Sequence, residues 1–124
     1  MNTIINTPNA PAPIGPYNQA VLAGNTLYVS GQVALDEAGK MLNETLETEA
    51  HQVMRNLQAI LAEAGMGFGN VVKCAIFLQD FNDFARVNEL YGSYFEGNFP
   101  ARETIQVSRL PKDARLEISC IAVK

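Results

Sequence analysis

The sequence predicts an α+β fold in the order ββαβαββ, a mixed sheet with two helices on one face. Three observations carry that expectation. Two segments, near residues 46–64 and 84–95, repeat apolar residues at three- and four-residue steps. Five shorter segments favour strand-forming residues, most with apolar and polar side chains alternating at the two-residue period of a strand. The strands also come in runs around the helices rather than in strict alternation with them.

Residues 6–17 hold four prolines and a glycine, so a stiff extended arm is expected there rather than a helix. That arm fixes Tyr17. Residues 19–23 and 26–34 follow as two strands joined at Gly24-Asn25, with Leu27 and Val29 on one face and Tyr28 and Ser30 on the other. Asp36-Glu37-Ala38-Gly39-Lys40 is a turn. The first helix carries the stripe Leu46, Ala50, Val53, Met54, Leu57, Ile60, Leu61 and Ala64. Glu44, Glu47 and Glu49 crowd its start, where the macrodipole favours anions, and Gly65 ends it. The glycine-rich run Gly65-Met66-Gly67-Phe68-Gly69 follows a helix, whereas phosphate loops precede one, so it reads as a stop. Residues 71–79 form a strand with Val72, Cys74, Ile76 and Leu78 on one side. Asp80 or Asn82 can cap the second helix, whose stripe is Phe84, Val87, Tyr91, Tyr94 and Phe95, and Gly97 and Pro100 end it. A strand around residues 104–107, a turn at Pro111-Lys112-Asp113-Ala114 and a strand over 115–123 complete the chain.

At 124 residues, with no linker or repeat, the chain reads as a single domain over 1–124. A formal net charge of −4 and a pI near 4.9 argue against a nucleic-acid partner and against docking on anionic membranes. No apolar run approaches the ~20 residues of a bilayer span, and the start lacks a signal peptide's basic region and long apolar core. A cytoplasmic protein is expected. Cys74 and Cys120 sit within apolar stretches and read as reduced core thiols. The single histidine, His51, stands one turn after Glu47 as a solvated flank residue, and no metal set is expected.

Two helices cover only one sheet face, yet Ala75, Phe77, Ile121 and Val123 place apolar groups on the other. A solvated face would be more polar, so a partner subunit is expected against it.

The candidate chemistry centres on Arg102 and Glu117. Phe99-Pro100-Ala101-Arg102 sets an arginine at the mouth of a strand, and Glu117 occupies the matching place on the next. The arginine's planar fork matches both oxygens of a carboxylate. Glu117 shares its face with Ile121 and Val123, so it needs a partner or an upward-shifted pKa. Residue spacing leaves the alternatives open: Arg102 as a solvated charge or a partner for Glu103, and Glu117 in an ion pair with Arg102 or Arg115. Strand alternation sends Glu103 to the face opposite Arg102. Tyr17 reads either as packing or as a wall of a pocket, and Asn88 either as helix surface or as an interface hydrogen-bonding group. Ser30-Gly31-Gln32 is no hydrolase elbow, and without a second histidine a serine triad is excluded.

Five motifs in order resemble the RidA family, also called the YjgF family: Ala12-Pro13-Ile14-Gly15-Pro16-Tyr17, Val29-Ser30-Gly31-Gln32, Phe84-Ala85-Arg86-Val87-Asn88, Phe99-Pro100-Ala101-Arg102, and Arg109-Leu110-Pro111-Lys112-Asp113-Ala114 leading to Glu117-Ile118. The resemblance spans nearly the whole chain. It implies a chorismate-mutase-like fold and a homotrimer with a pocket at each subunit boundary. It further implies hydrolysis of reactive 2-enamine and 2-imine acids, such as 2-aminoacrylate, to 2-oxo acids and ammonia, with no cofactor. On the matching positions Arg102 is the carboxylate clamp and Glu117 orients water. Tyr17 covers the ligand, Ser30 and Thr104 line the pocket, and Asn88 belongs to the interface. Three positions depart from the usual pattern: Glu103 and Thr104 stand where many members have Ser or Thr followed by Cys, and Ser119 where many have a second glutamate. A non-catalytic 2-oxo acid-binding regulator is the alternative function. A ribonuclease or translation inhibitor is a weaker one, which the acidic charge disfavours.

Overall fold

The computed structural model describes residues 2–124. One six-stranded sheet carries both helices on a single face, in the order β1-β2-β3-β6-β4-β5. The strands are β1 (Asn2–Ile5), β2 (Ala20–Ala23), β3 (Thr26–Gln32), β4 (Val71–Leu78), β5 (Ala101–Gln106) and β6 (Leu116–Val123); the helices are α1 (Leu46–Glu63) and α2 (Phe84–Gly92). All neighbours run antiparallel except β4 and β5, which are parallel because α2 forms the crossover between them.

The α+β class and the helices on one face are as the sequence predicts, with one added strand. Asn2–Ile5 pairs with β2, which makes the order βββαβαββ. The arm between β1 and β2 is extended, and Gln19 holds it. Its buried amide accepts from Thr7 N–H at 2.6 Å and donates to the carbonyls of Thr7 at 3.0 Å and Pro11 at 2.9 Å. Prolines remove donors from this stretch, so a side chain satisfies the carbonyls that a strand ladder would otherwise serve. Gln19 is therefore the arm's anchor rather than the first residue of a strand.

The core lies between sheet and helices, where Leu27, Val29, Cys74, Ile76, Leu78, Leu116, Ile118 and Cys120 meet Val53, Met54, Leu57, Ile60 and Leu61 of α1. Cys74 and Cys120 are both buried free thiols, as expected. Thr45 caps α1 by accepting from Thr48 N–H at 3.1 Å, and beyond the helix Gly65 takes the left-handed φ of 74° that stops it. The second helix is shorter than its stripe. Asp80 caps a 3₁₀ turn leading into it, it ends at Gly92, and Tyr94 and Phe95 pack beyond its end against Phe68.

One sequence expectation is corrected here. His51 is half-buried and bonded through Nδ1 to the Tyr94 hydroxyl at 2.7 Å, tying α1 to the segment after α2. Glu49 stands in the first turn of α1, as the sequence predicts, and is fully buried there. It accepts from the Arg115 backbone N–H at 2.7 Å and from Arg115 Nη1 at 2.9 Å. This pair locks α1 to the start of β6. Glu49→Ala leaves a buried N–H and a half-exposed guanidinium without their partner, so a loss of about 2–3 kcal/mol is expected. A lower urea midpoint at unchanged slope is the readout.

The other sheet face is half-covered. Val33, Leu35, Leu110 and Ala114 form a smaller cluster there with Phe77 and Val107, while Tyr28 and Ile105 remain exposed.

Candidate functional site

The two charged residues singled out in the sequence do not meet within one chain. β4 lies between β5 and β6, which corrects the expectation that Arg102 and Glu117 stand on neighbouring strands. Arg102 is in register with Cys74, on the face that packs against the helices. Glu117 is in register with Phe77, on the opposite face. In-register residues share a face, so the two side chains point away from each other through the sheet. Neither proposed ion pair forms: Arg115 is taken by Glu49, and among the described residues neither Arg102 nor Glu117 has an ionic partner. Glu103 does lie opposite Arg102 in direction, paired with Lys73 at 3.0 Å.

Glu117 lines a cavity of about 400 Å³ with Ile14, Tyr17, Ser30, Gly31 and Lys112. The local sequence explains why a carboxylate fits there. Between Val29 and Gln32, β3 carries two residues, Ser30 and Gly31, against one on β6, a bulge that turns the strand at the cavity wall. A Cβ on Gly31 would fall 2.7 Å from the Glu117 carboxyl carbon, so only glycine leaves room for the carboxylate. Burial raises the Glu117 pKa above the ordinary carboxylate range, since no cation offsets the lost solvation. The Ser30 hydroxyl donates to the Asn18 carbonyl at 2.6 Å, which leaves its oxygen to the cavity as an acceptor. Tyr17 follows a tight turn, with its N–H donating to Gly15 O at 2.8 Å, and holds a half-exposed ring at the cavity mouth.

Gly31→Ala is expected to displace the carboxylate and weaken small-ligand binding at this cavity at least about tenfold. The chain should still fold, because the clash falls on the end of a flexible side chain. Calorimetric titration beside a circular dichroism melt would separate the two effects.

Arg102 lines a second cavity, about 430 Å³, with Asn88, Tyr91, Gly92, Phe99 and Pro100. Asn88 is exposed on α2 beside it. Thr104 lies two residues further along β5 on the same face, and its buried hydroxyl oxygen has no hydrogen-bond partner. The structure thus groups the predicted residues as Tyr17, Ser30 and Glu117 in one cavity, and Arg102, Asn88 and Thr104 on the other side of the sheet.

Gly31 and Lys112 are site residues that sequence reasoning passed over. Lys112 and Asp113 adopt left-handed φ values of 59° and 54° in the turn before β6, an uncommon conformation for residues with a Cβ. A marked turn in the Arg109–Ala114 motif was the available signal. Among the described residues no group of three or more His, Cys, Asp or Glu is placed to hold a metal ion. Among the described residues no helix is long and apolar enough to cross a membrane.

The protein is thus an α+β protein in which a mixed sheet backed by two helices carries an unpaired arginine on one face and a desolvated glutamate on the other. The chain belongs to the Endoribonuclease L-PSP family, whose model matches residues 7–124. A 2-iminobutanoate/2-iminopropanoate deaminase from Rattus norvegicus is 50% identical over 98% of this chain and 89% of its own length. A Rid family protein of unknown function from Yersinia pestis superposes with a TM-score of 0.97 at 40% identity, each chain covered in full. TdcF of E. coli, solved with bound serine, gives a TM-score of 0.94 at 39% identity over 98% of both chains.

Proposed function

We propose that the protein is a hydrolytic deaminase that converts 2-enamine and 2-imine acids, such as 2-aminoacrylate, to 2-oxo acids and ammonia. The observation that carries this reading is the unpaired Arg102 guanidinium together with a desolvated, unpaired Glu117. The first suits a carboxylate and the second an activated water. The family relatives named as imine deaminases support the choice of reaction, and the serine held by TdcF supports an amino-acid-sized ligand bearing a carboxylate.

The chemistry needs few groups. Protonation of the enamine carbon of 2-aminoacrylate gives the 2-iminium, already a strong electrophile. Water adds at C2 while its proton passes to Glu117, forming a carbinolamine. Glu117 returns that proton to the amino group; the hydroxyl then gives its own proton to the re-ionised Glu117 as the C–N bond breaks, so ammonia leaves and the C2 oxygen becomes the carbonyl of pyruvate. Arg102 holds the carboxylate beside C2, and this positioning supplies most of the help the reaction requires. Tyr17 covers the ligand, and Ser30 and Thr104 line its pocket.

Because Arg102 and Glu117 face opposite sides of one sheet, a single ligand reaches both only where two copies meet. We infer a homotrimer in which the Arg102 cavity of one copy closes on the Glu117 cavity of the next, with Asn88 at the boundary. The half-covered apolar face, with Tyr28 and Ile105 exposed, supports such a contact. Light scattering that finds a stable monomer at working concentration would contradict it.

The test of the activity is oxo-acid formation from a 2-imino acid generated in situ. Acceleration over the uncatalysed rate is expected, and a background rate would reject the reading. The family's endoribonuclease description finds no support in the net charge of −4.

A further inference from the structure

Three of the chain's five arginines rest on carboxylates: Arg86 on Glu47 and Glu89, Arg109 on Asp113, and Arg115 on Glu49. Arg102 differs. Its guanidinium carbon lies 5.1 Å from the ring centroid of Tyr91 and 5.7 Å from that of Phe84. The rings are themselves held. Phe84 stacks on Phe81 at 4.9 Å with an interplanar angle of 12°, and Tyr91 packs against Phe95 at 4.9 Å. The Phe81 N–H donates to Gln106 Oε1 at 2.8 Å, which ties this aromatic group to β5, the strand that carries Arg102.

The two ways of holding an arginine have different consequences. A carboxylate occupies the N–H fork and cancels the charge. An aromatic face attracts the cation through its π system, and the in-plane N–H donors stay free. We propose that Phe84 and Tyr91 are positioning residues for the Arg102 carboxylate clamp: they fix the guanidinium by its faces and so leave its fork and its full charge to the ligand. This inference rests on the reading of Arg102 as the carboxylate-binding group. It adds that the clamp is set before the ligand arrives, because ring faces replace the flexible solvation of a surface arginine.

The consequence falls on KM more than on kcat. In Phe84→Leu one face is lost and the guanidinium samples more orientations, so KM for the imino acid rises about five- to tenfold while kcat changes less than about twofold. Phe84→Met, whose flexible side chain can fill the space the ring leaves, carries the same test should the leucine variant fail to fold. Phe84→Tyr keeps the ring face and is expected to rescue the KM lost in the leucine variant. In an Arg102→Ala background, Phe84→Leu should alter the residual kcat/KM by less than about twofold, because nothing remains to position.

The measurement is steady-state turnover of these variants, with 2-oxobutyrate titrated into each by calorimetry. Weakened 2-oxobutyrate binding in Phe84→Leu, restored in Phe84→Tyr and absent as an added effect in the double variant, supports the proposal. An unchanged KM in Phe84→Leu alongside lost binding in Arg102→Ala overturns the aromatic clamp and leaves the site intact. An equal effect of Phe84→Leu with and without Arg102 also overturns it, as general disruption of packing. Equal 2-oxobutyrate binding by wild type and Arg102→Ala rejects the underlying site reading, a result distinct from the other two.

Discussion

Arg102→Ala is expected to lower kcat/KM for a 2-imino acid by about 10²–10³-fold, mostly through KM, and to abolish 2-oxobutyrate binding by calorimetry. The size follows from what the side chain does. Arg102 lines its cavity with no competing anion, so its whole bidentate capacity goes to the ligand's carboxylate. Removing it leaves an anion in a site that Phe99, Pro100 and Tyr91 make apolar, with no cation to receive it. Stability should fall by about 1–2 kcal/mol, the share of the guanidinium's contacts with the Tyr91 and Phe84 rings. A variant with wild-type kcat/KM would show that the ligand's carboxylate binds elsewhere.

Glu117→Gln is expected to act on the other kinetic parameter. It keeps shape and hydrogen-bonding capacity but removes the base, so kcat should fall about 10²–10⁴-fold while 2-oxobutyrate binding persists. The wild-type pH profile should carry the same group's signature. On the proposed mechanism Glu117 acts as a base in its ionised form, and burial raises its pKa. The acid limb of kcat should therefore fall as pH drops through a value above the ordinary glutamate range, and that limb should vanish from the residual activity of the Gln variant. A limb at the ordinary carboxylate position would contradict a desolvated base.

Much of the fold was legible because periodicity reports which residues share a face. The α1 stripe, the alternation of β4 and β6, and the extended arm all emerge from residue order alone. Periodicity is silent about neighbours. Nothing in the alternation around Arg102 or Glu117 says that the α2 crossover sets β5 at the sheet edge and leaves β4 between them. The pair therefore looked adjacent when it is split across two faces. β1 escaped notice because four residues carry too little pattern, and its pairing depends on an arm that returns from Ala20. The ion pair of Glu49 was out of reach for a related reason: a carboxylate in a helix's first turn already has a sufficient local explanation in the macrodipole. Its partner, Arg115, comes 66 residues later.

For the candidate site, residue chemistry singled out Arg102 and Glu117, and the structure sets each of them against a separate cavity. Gly31 matters because its missing Cβ admits a carboxylate from another strand, and Lys112 because a left-handed turn brings it to the cavity wall. Neither relationship is visible as a spacing. The aromatic faces over Arg102 were half legible. Phe84 and Tyr91 were assigned to the buried stripe of the second helix, but their contact with a cation on a strand needed the packed structure.

The central claim is that one catalytic site takes Arg102 from one copy and Glu117 from another. Co-expressed Arg102→Ala and Glu117→Gln chains test it most directly. In any mixed trimer with a ring of boundary sites, one boundary of the three joins the intact Arg102 of one variant to the intact Glu117 of the other. Random assembly from equal amounts then restores about a quarter of wild-type deaminase activity, although each variant alone is nearly inactive. Recovery near that level is the predicted result. Mixed trimers that stay at the level of the separate variants would contradict a shared site.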